Sequence, residues 1–133
     1  MAFGVASVLT NKGKASLIDR WGTTPATYTN PPKYIGIGVG ATGAARTASI
    51  TDTALSTEVE SRATGTESRV TTTTTGDTFQ LVGTVTASAN RSVDEAGQFD
   101  ASSGGNMVVS MTFNVVSLVN TDTYTLTIKT QLT

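Results

Sequence analysis

The sequence contains no cysteine and no histidine. That excludes disulfides, thiolate nucleophiles, the usual zinc ligand sets and any triad built on imidazole. Charged residues make up only 14% of the 133, and the formal net charge is -1. So weak a field cannot gather DNA or an anionic membrane, and neither nucleic acid nor membrane is expected as a partner. No apolar run approaches the roughly 18 residues of a membrane-spanning helix. Met1–Thr10 has neither a basic n-region nor a sufficient apolar block, so no secretory signal is expected. Large apolar residues are also scarce, at 38% apolar and 6% aromatic. A core this thin points to stabilisation by assembly, and a homo-oligomer is expected.

Threonine, serine, alanine and glycine fill the deficit, a composition suited to strands and turns. The clearest pattern lies near the C-terminus. Met107, Val109, Met111, Phe113 and Val115 alternate with more polar residues, and Tyr124, Leu126, Ile128 and Leu132 do the same against Thr123, Thr125, Thr127, Lys129 and Gln131. Period two marks half-buried strands. These two strands, with matched apolar faces, are the expected nucleus of a sheet and the best core candidates.

The N-terminal residues 1–21 are the one helical candidate. Leu17, Ile18 and Trp21 share a helical face, Asn11 is a candidate cap, and Val5, Val8 and Leu9 extend the stripe weakly across Gly13. This reading packs Trp21 on a sheet edge; the alternative is an extended arm that docks on a partner. Gly22–Pro32 holds all three prolines, Pro25, Pro31 and Pro32, and so is a loop. Lys33–Val39 reads as a strand. Gly38, Gly40 and Gly43 then spell G-x-G-x-x-G, but no apolar helical stripe follows, so a dinucleotide site is not expected. A loop with positive-φ glycines is.

Further strands are read at Thr78–Ala87 and, as a plain or bulged strand, at Ser92–Phe99. The threonine run Thr71–Thr75 is β-prone, and Gly76-Asp77 is a turn. Glu58, Glu60 and Arg62 are spaced two apart. On a strand they form one face, either solvated or a row of intersubunit ion pairs. No catalytic residue is assigned. The threonine hydroxyls have no base, and carboxylates side by side on a strand cannot oppose each other across a sugar. Asp94, Glu95, Asp100 and Asn106 do not have the spacing of an EF-hand loop, so no metal or cofactor is expected. The fold class is mainly β, an antiparallel β-sandwich or jelly-roll-like domain (22–133) preceded by one short N-terminal helix or arm (1–21).

Several short blocks carry a resemblance. Pro32-Lys33-Tyr34-Ile35-Gly36-Ile37-Gly38, then Thr51-Asp52-Thr53-Ala54-Leu55 with Glu58 and Glu60-Ser61-Arg62, then Ser68-Arg69-Val70 resemble a family of small tailed-bacteriophage virion proteins. Glu95-Ala96-Gly97-Gln98-Phe99-Asp100-Ala101 and Gly104-Gly105-Asn106-Met107 resemble its second block. The resemblance implies a capsid decoration (cement) protein on the exterior of the virion, binding the major capsid protein and stabilising capsomer contacts as a homotrimer. A tail-fibre or receptor-binding module is the alternative. The partner-binding candidates are Trp21, Pro25, Tyr28, Pro31, Pro32, Tyr34, Glu58, Glu60 and Arg62; as segments they are the Met1–Trp21 arm and the Gly22–Pro32 loop, with the Gly36–Ala45 loop as a third.

Overall fold

A computed structural model gives the fold for residues 6–22, 27–28, 30–40 and 47–132. In chain order the elements are β1 (Ala6–Leu9), α1 (Asn11–Gly22), β2 (Tyr34–Gly38), β3 (Ala63–Thr64), β4 (Thr66–Val70), β5 (Thr78–Thr86), β6 (Arg91–Phe99), β7 (Met107–Leu118) and β8 (Thr123–Gln131). Pairing is antiparallel in both sheets, one with the order β1-β7-β6-β2-β3 and one with the order β4-β5-β8. They face each other as a sandwich with a single short N-terminal helix, the class that alternation and turn chemistry predict. The interior between them is filled by Ile35, Ile37, Leu81, Val93, Phe113, Leu126 and Ile128, all nearly inaccessible to water.

The two long C-terminal strands are both present, yet they do not share a sheet. β7 runs in the larger sheet and β8 in the smaller. The turn between them is fixed by the Asp122 carboxylate, which accepts from the Val119 amide at 2.9 Å, and by Thr121 at φ 75°. Their apolar faces meet across the interior, with the Phe113 and Tyr124 rings 6.0 Å apart. The alternation of β7 is also broken. Gln98 and Phe99 pair with Val109 and Met107, leaving Val108 as an extra residue, and Val93 and Glu95 pair with Val116 and Thr112, where β7 again has the excess. Bulges of this kind rotate the strand. Met107 therefore joins Leu55, Phe99 and Tyr34 in a second, smaller cluster, while Val115 is exposed.

The N-terminal residues differ from the predicted arm or longer helix. Ala6–Leu9 is a strand in the chain's own sheet, paired with Val109–Thr112 of β7. The helix cap is Thr10 rather than Asn11: its hydroxyl accepts from the Gly13 amide at 3.0 Å and donates to the Met107 carbonyl. Gly13 lets the helix backbone lie against β7, since a Cβ there would stand 2.4 Å from the Val108 carbonyl oxygen. The helix ends at Gly22 as read from the sequence, but Trp21 projects into solvent at 72% exposure instead of packing on the sheet edge.

Two other readings are corrected by local chemistry. The Thr71–Thr75 run is a turn, not a strand, because the Asp77 carboxylate collects the amides of Thr72, Thr73 and Thr74 at 2.9–3.0 Å. Gly38 and Gly40 serve close approach instead of positive φ. A Cβ at Gly38 would meet Glu95 Oε1 at 2.6 Å, and the Gly40 amide donates to Asp94. Gly43 lies outside the described residues. Gly65 has a related role. The chain passes there from β3 in one sheet to β4 in the other, and a Cβ would sit 2.6 Å from Leu81 Cδ1.

Candidate functional site

Glu58, Glu60 and Arg62 do not form one strand face. Gly38 bridges to Glu58 and Ile35 pairs with Ala63. Between those pairings β2 spends two residues and the facing segment spends four; Val59 still donates to the Ile37 carbonyl, and the chain bulges from the ladder after it. The bulge separates the charges into two ion pairs within the chain. Arg62 grips Glu58 with both ends of its fork, at 2.7 and 3.0 Å. It also donates to the Ala101 and Gly104 carbonyls, at 2.9 and 2.7 Å. Its guanidinium lies 3.4 Å from the centre of the Phe99 ring. The planar fork and the aromatic stack are features lysine lacks. Glu60 instead takes the Arg91 Nε–H at 2.8 Å and the Ser88 amide at 3.1 Å. Burial pushes the Glu60 carboxyl up, but the Arg91 and Ser88 hydrogen bonds and the Arg91 charge outweigh it and hold the group below its ordinary value.

The segment that carries these residues covers the outer face of the larger sheet. Asp52 accepts from Ser110 Oγ at 2.6 Å, and Glu95 accepts from the Ser56 and Thr57 amides at 2.6 and 3.2 Å. Asp100 accepts from the backbone and side chain of Asn106. The acidic residues that sequence spacing could not join into a calcium loop are thus each committed to separate amides. Among the described residues no group of histidine, cysteine, aspartate and glutamate is arranged to hold a metal ion.

The predicted contact residues divide between different places. Pro31 and Pro32 form part of one wall of an apolar groove, with Leu9, Leu17, Val108 and Phe79. This inner part has a volume of about 210 Å³. It continues through Leu17, Glu67, Phe79 and Thr130 into a wider mouth of about 420 Å³ that reaches Leu132, Arg69 and Asp77. The helix, the start of β5, the end of β8 and β4 therefore enclose one continuous cleft at one end of the sandwich. Gln98 Oε1 is buried in its inner wall with no hydrogen-bond partner among the described residues, while Nε2 donates to the Pro32 carbonyl. On the solvent side of the helix, Ile18 is 63% exposed beside Trp21.

The remaining candidates lie elsewhere. Tyr28 is half-buried, its amide bonded to Asp19. Tyr34 is half-buried on the Leu55–Phe99–Met107 cluster, with the Lys33 ammonium 5.8 Å from its ring centre. Pro25 and residues 41–45 of the glycine loop lie outside the described residues. Leu17, Phe79 and Leu132 belong to the groove and were not singled out as contact residues. Each is legible as one apolar position in its own element, and nothing local says that three elements meet there. Of the described helices, none is long and apolar enough to cross a membrane. Comparison with protein-family models, with curated proteins and with solved structures finds no match to this chain.

Proposed function

We propose that the chain is a structural component of a bacteriophage virion, a decoration protein that docks on the outside of the capsid and stabilises contacts between capsomers. The observation that carries this reading is the exposed Ile18–Trp21 pair on the helix that walls the apolar groove. A tryptophan left in solvent beside Ile18, on a helix that also carries Lys12, Lys14 and Arg20, suits recognition of another protein, where such residues supply most of the binding energy. The resemblance supports it further, because its distant blocks converge. Glu58, Arg62, Phe99, Ala101 and Gly104, drawn from both blocks, meet in one clamp. In this reading the clamp is the frame and the helix is the contact surface. A protein that binds only the mature shell stabilises that shell by mass action, copy by copy. The carboxylates act as amide acceptors and ion-pair partners within this frame, and the role is structural and not enzymatic.

Co-sedimentation of the purified protein with empty capsid shells tests the reading. The protein should pellet with shells, and Trp21→Ala should weaken that binding roughly thirtyfold while leaving thermal unfolding unchanged. Recovery from tails or on host-cell surfaces, with none on shells, would replace it with the tail-fibre or receptor-binding alternative.

A further inference from the structure

The sandwich has four outermost strands, and they are not equally guarded. β3 has two residues and β1 four. β4 has five, among them Glu67 and Arg69, and presents almost no buried face. β8 is different. It runs for nine residues, pairs on one side with β5, and among the described residues has no strand on the other. It contains no proline and one charged residue, Lys129. Long, weakly charged edges of this kind are templates for strand addition, and proteins normally block them.

The ladder shows which groups are offered. The Leu132 amide donates to the Asp77 carbonyl and the Ala87 amide to the Asp122 carbonyl. In the β5–β8 register these are even-numbered β8 positions bonded to β5. The amides and carbonyls of Thr123, Thr125, Thr127, Lys129 and Gln131 therefore point to the free side. Their side chains lie on the solvent face, where Thr84 and Thr125 already share a hydroxyl hydrogen bond of 2.8 Å. Leu126 and Ile128 lie on the interior face.

We propose that this edge is a self-association site, where β8 of a second copy of this chain pairs antiparallel about a twofold axis through Thr127. That register joins the two three-stranded sheets into one of six strands. It sets Thr125 opposite Lys129, Thr123 opposite Gln131 and Leu126 opposite Ile128, so no like charges face each other. About ten main-chain hydrogen bonds form, using every outward group of both strands. The second copy is favoured over another protein because the strand is its own complement in this register. The sheets also differ in width. β5 lies against β2 and β3, so β8 comes next and no described strand of the smaller sheet stands opposite β1. An added β8 widens the smaller sheet in that direction. Val119 and Leu132, 57% and 49% exposed, extend apolar surface past both ends of the strand. The pairing is independent of any role on a capsid. It gives an assembly of even number, unlike the trimer implied by the resemblance.

Sedimentation velocity of the whole chain at micromolar concentration tests this. The wild-type protein should sediment as a dimer. Thr125→Lys brings two lysine pairs together across the axis and should weaken the dimer roughly tenfold, whereas Thr125→Glu, which faces Lys129, should keep or tighten it. Thr127→Pro removes an outward donor and no β5 bond, so it should yield a folded monomer, judged by an unchanged circular dichroism spectrum. A wild-type monomer or trimer would overturn the proposal. So would equal dissociation of the Thr125→Lys and Thr125→Glu variants.

Discussion

Arg62 shows how much one side chain can organise. It is 6% exposed, and it ties Glu58, two loop carbonyls and the face of Phe99 into a single contact. Replacing it with alanine should cost about 2–4 kcal/mol in urea unfolding, because it leaves Glu58 unpaired and two carbonyls without donors. Arg62→Lys should recover less than half of this, since a point charge cannot reproduce the fork and the stack. Asp77 and Glu60 make the acid side of the stability curve. The Thr74 amide foremost, then that of Thr72, hold the Asp77 carboxyl well below its usual range against partial burial, with Thr73 and Gln131 adding to the effect. Glu60 is lowered as well. A carboxyl lowered by folding contributes stability in full above its unfolded value, near 4.5 for glutamate. That contribution is lost as pH falls through the folded value. The melting temperature should therefore fall below about pH 4.5, and the Glu60→Gln/Asp77→Asn double variant should show a flatter acid limb with a lower plateau at neutral pH. In Asp77→Ala, amide hydrogen exchange should quicken at Thr72, Thr73 and Thr74 and stay slow in β6.

At the scale of elements, the helix is held by a glycine where helix propensity would prefer alanine. Gly13→Ala gains about 1 kcal/mol of propensity in isolation. Against β7 its methyl meets the Val108 carbonyl, which is backbone and cannot rotate away. The net effect in thermal unfolding should be a loss of about 1–3 kcal/mol. This reversal also explains what the sequence could and could not reveal. Strand positions were legible because Leu81, Val85, Leu126 and Ile128 recur at period two and are buried accordingly. The strand at Ser92–Phe99 was legible too, although the extra residues at its irregularities lie in its partner β7. What alternation does not encode is the partner. Val8 and Leu9 suit a helix as well as a strand, and only the distant Val109–Thr112 decides between them. The five threonines prefer strand geometry individually, yet one aspartate two residues further on turns them. Glu58, Glu60 and Arg62 keep the spacing of a strand face while the bulge rotates them apart. The candidate site was the least legible, for its groove is assembled from a helix, a loop and residues of six strands.

For the whole molecule, the two sheets are joined on one side by covalent continuity at Gly65 and left open on the other, where β8 and β1 end their sheets. Gly65→Val should therefore disturb both sheets together, with a loss of about 2–3 kcal/mol and a single cooperative unfolding transition. The pairing of β1 has a consequence for time as well as for stability. Thr10 and Met107, joined by a hydrogen bond, are 97 positions apart in sequence. β1 cannot be seated until β7, about a hundred residues later, has appeared. Contacts this remote place the chain among slow folders, in the range of milliseconds to seconds. On the ribosome Val8 and Leu9 must wait without their sheet until residues 107–112 have left the exit tunnel. A nascent chain halted before that point would hold β5 and β6 but lack the strand that receives the N-terminal one.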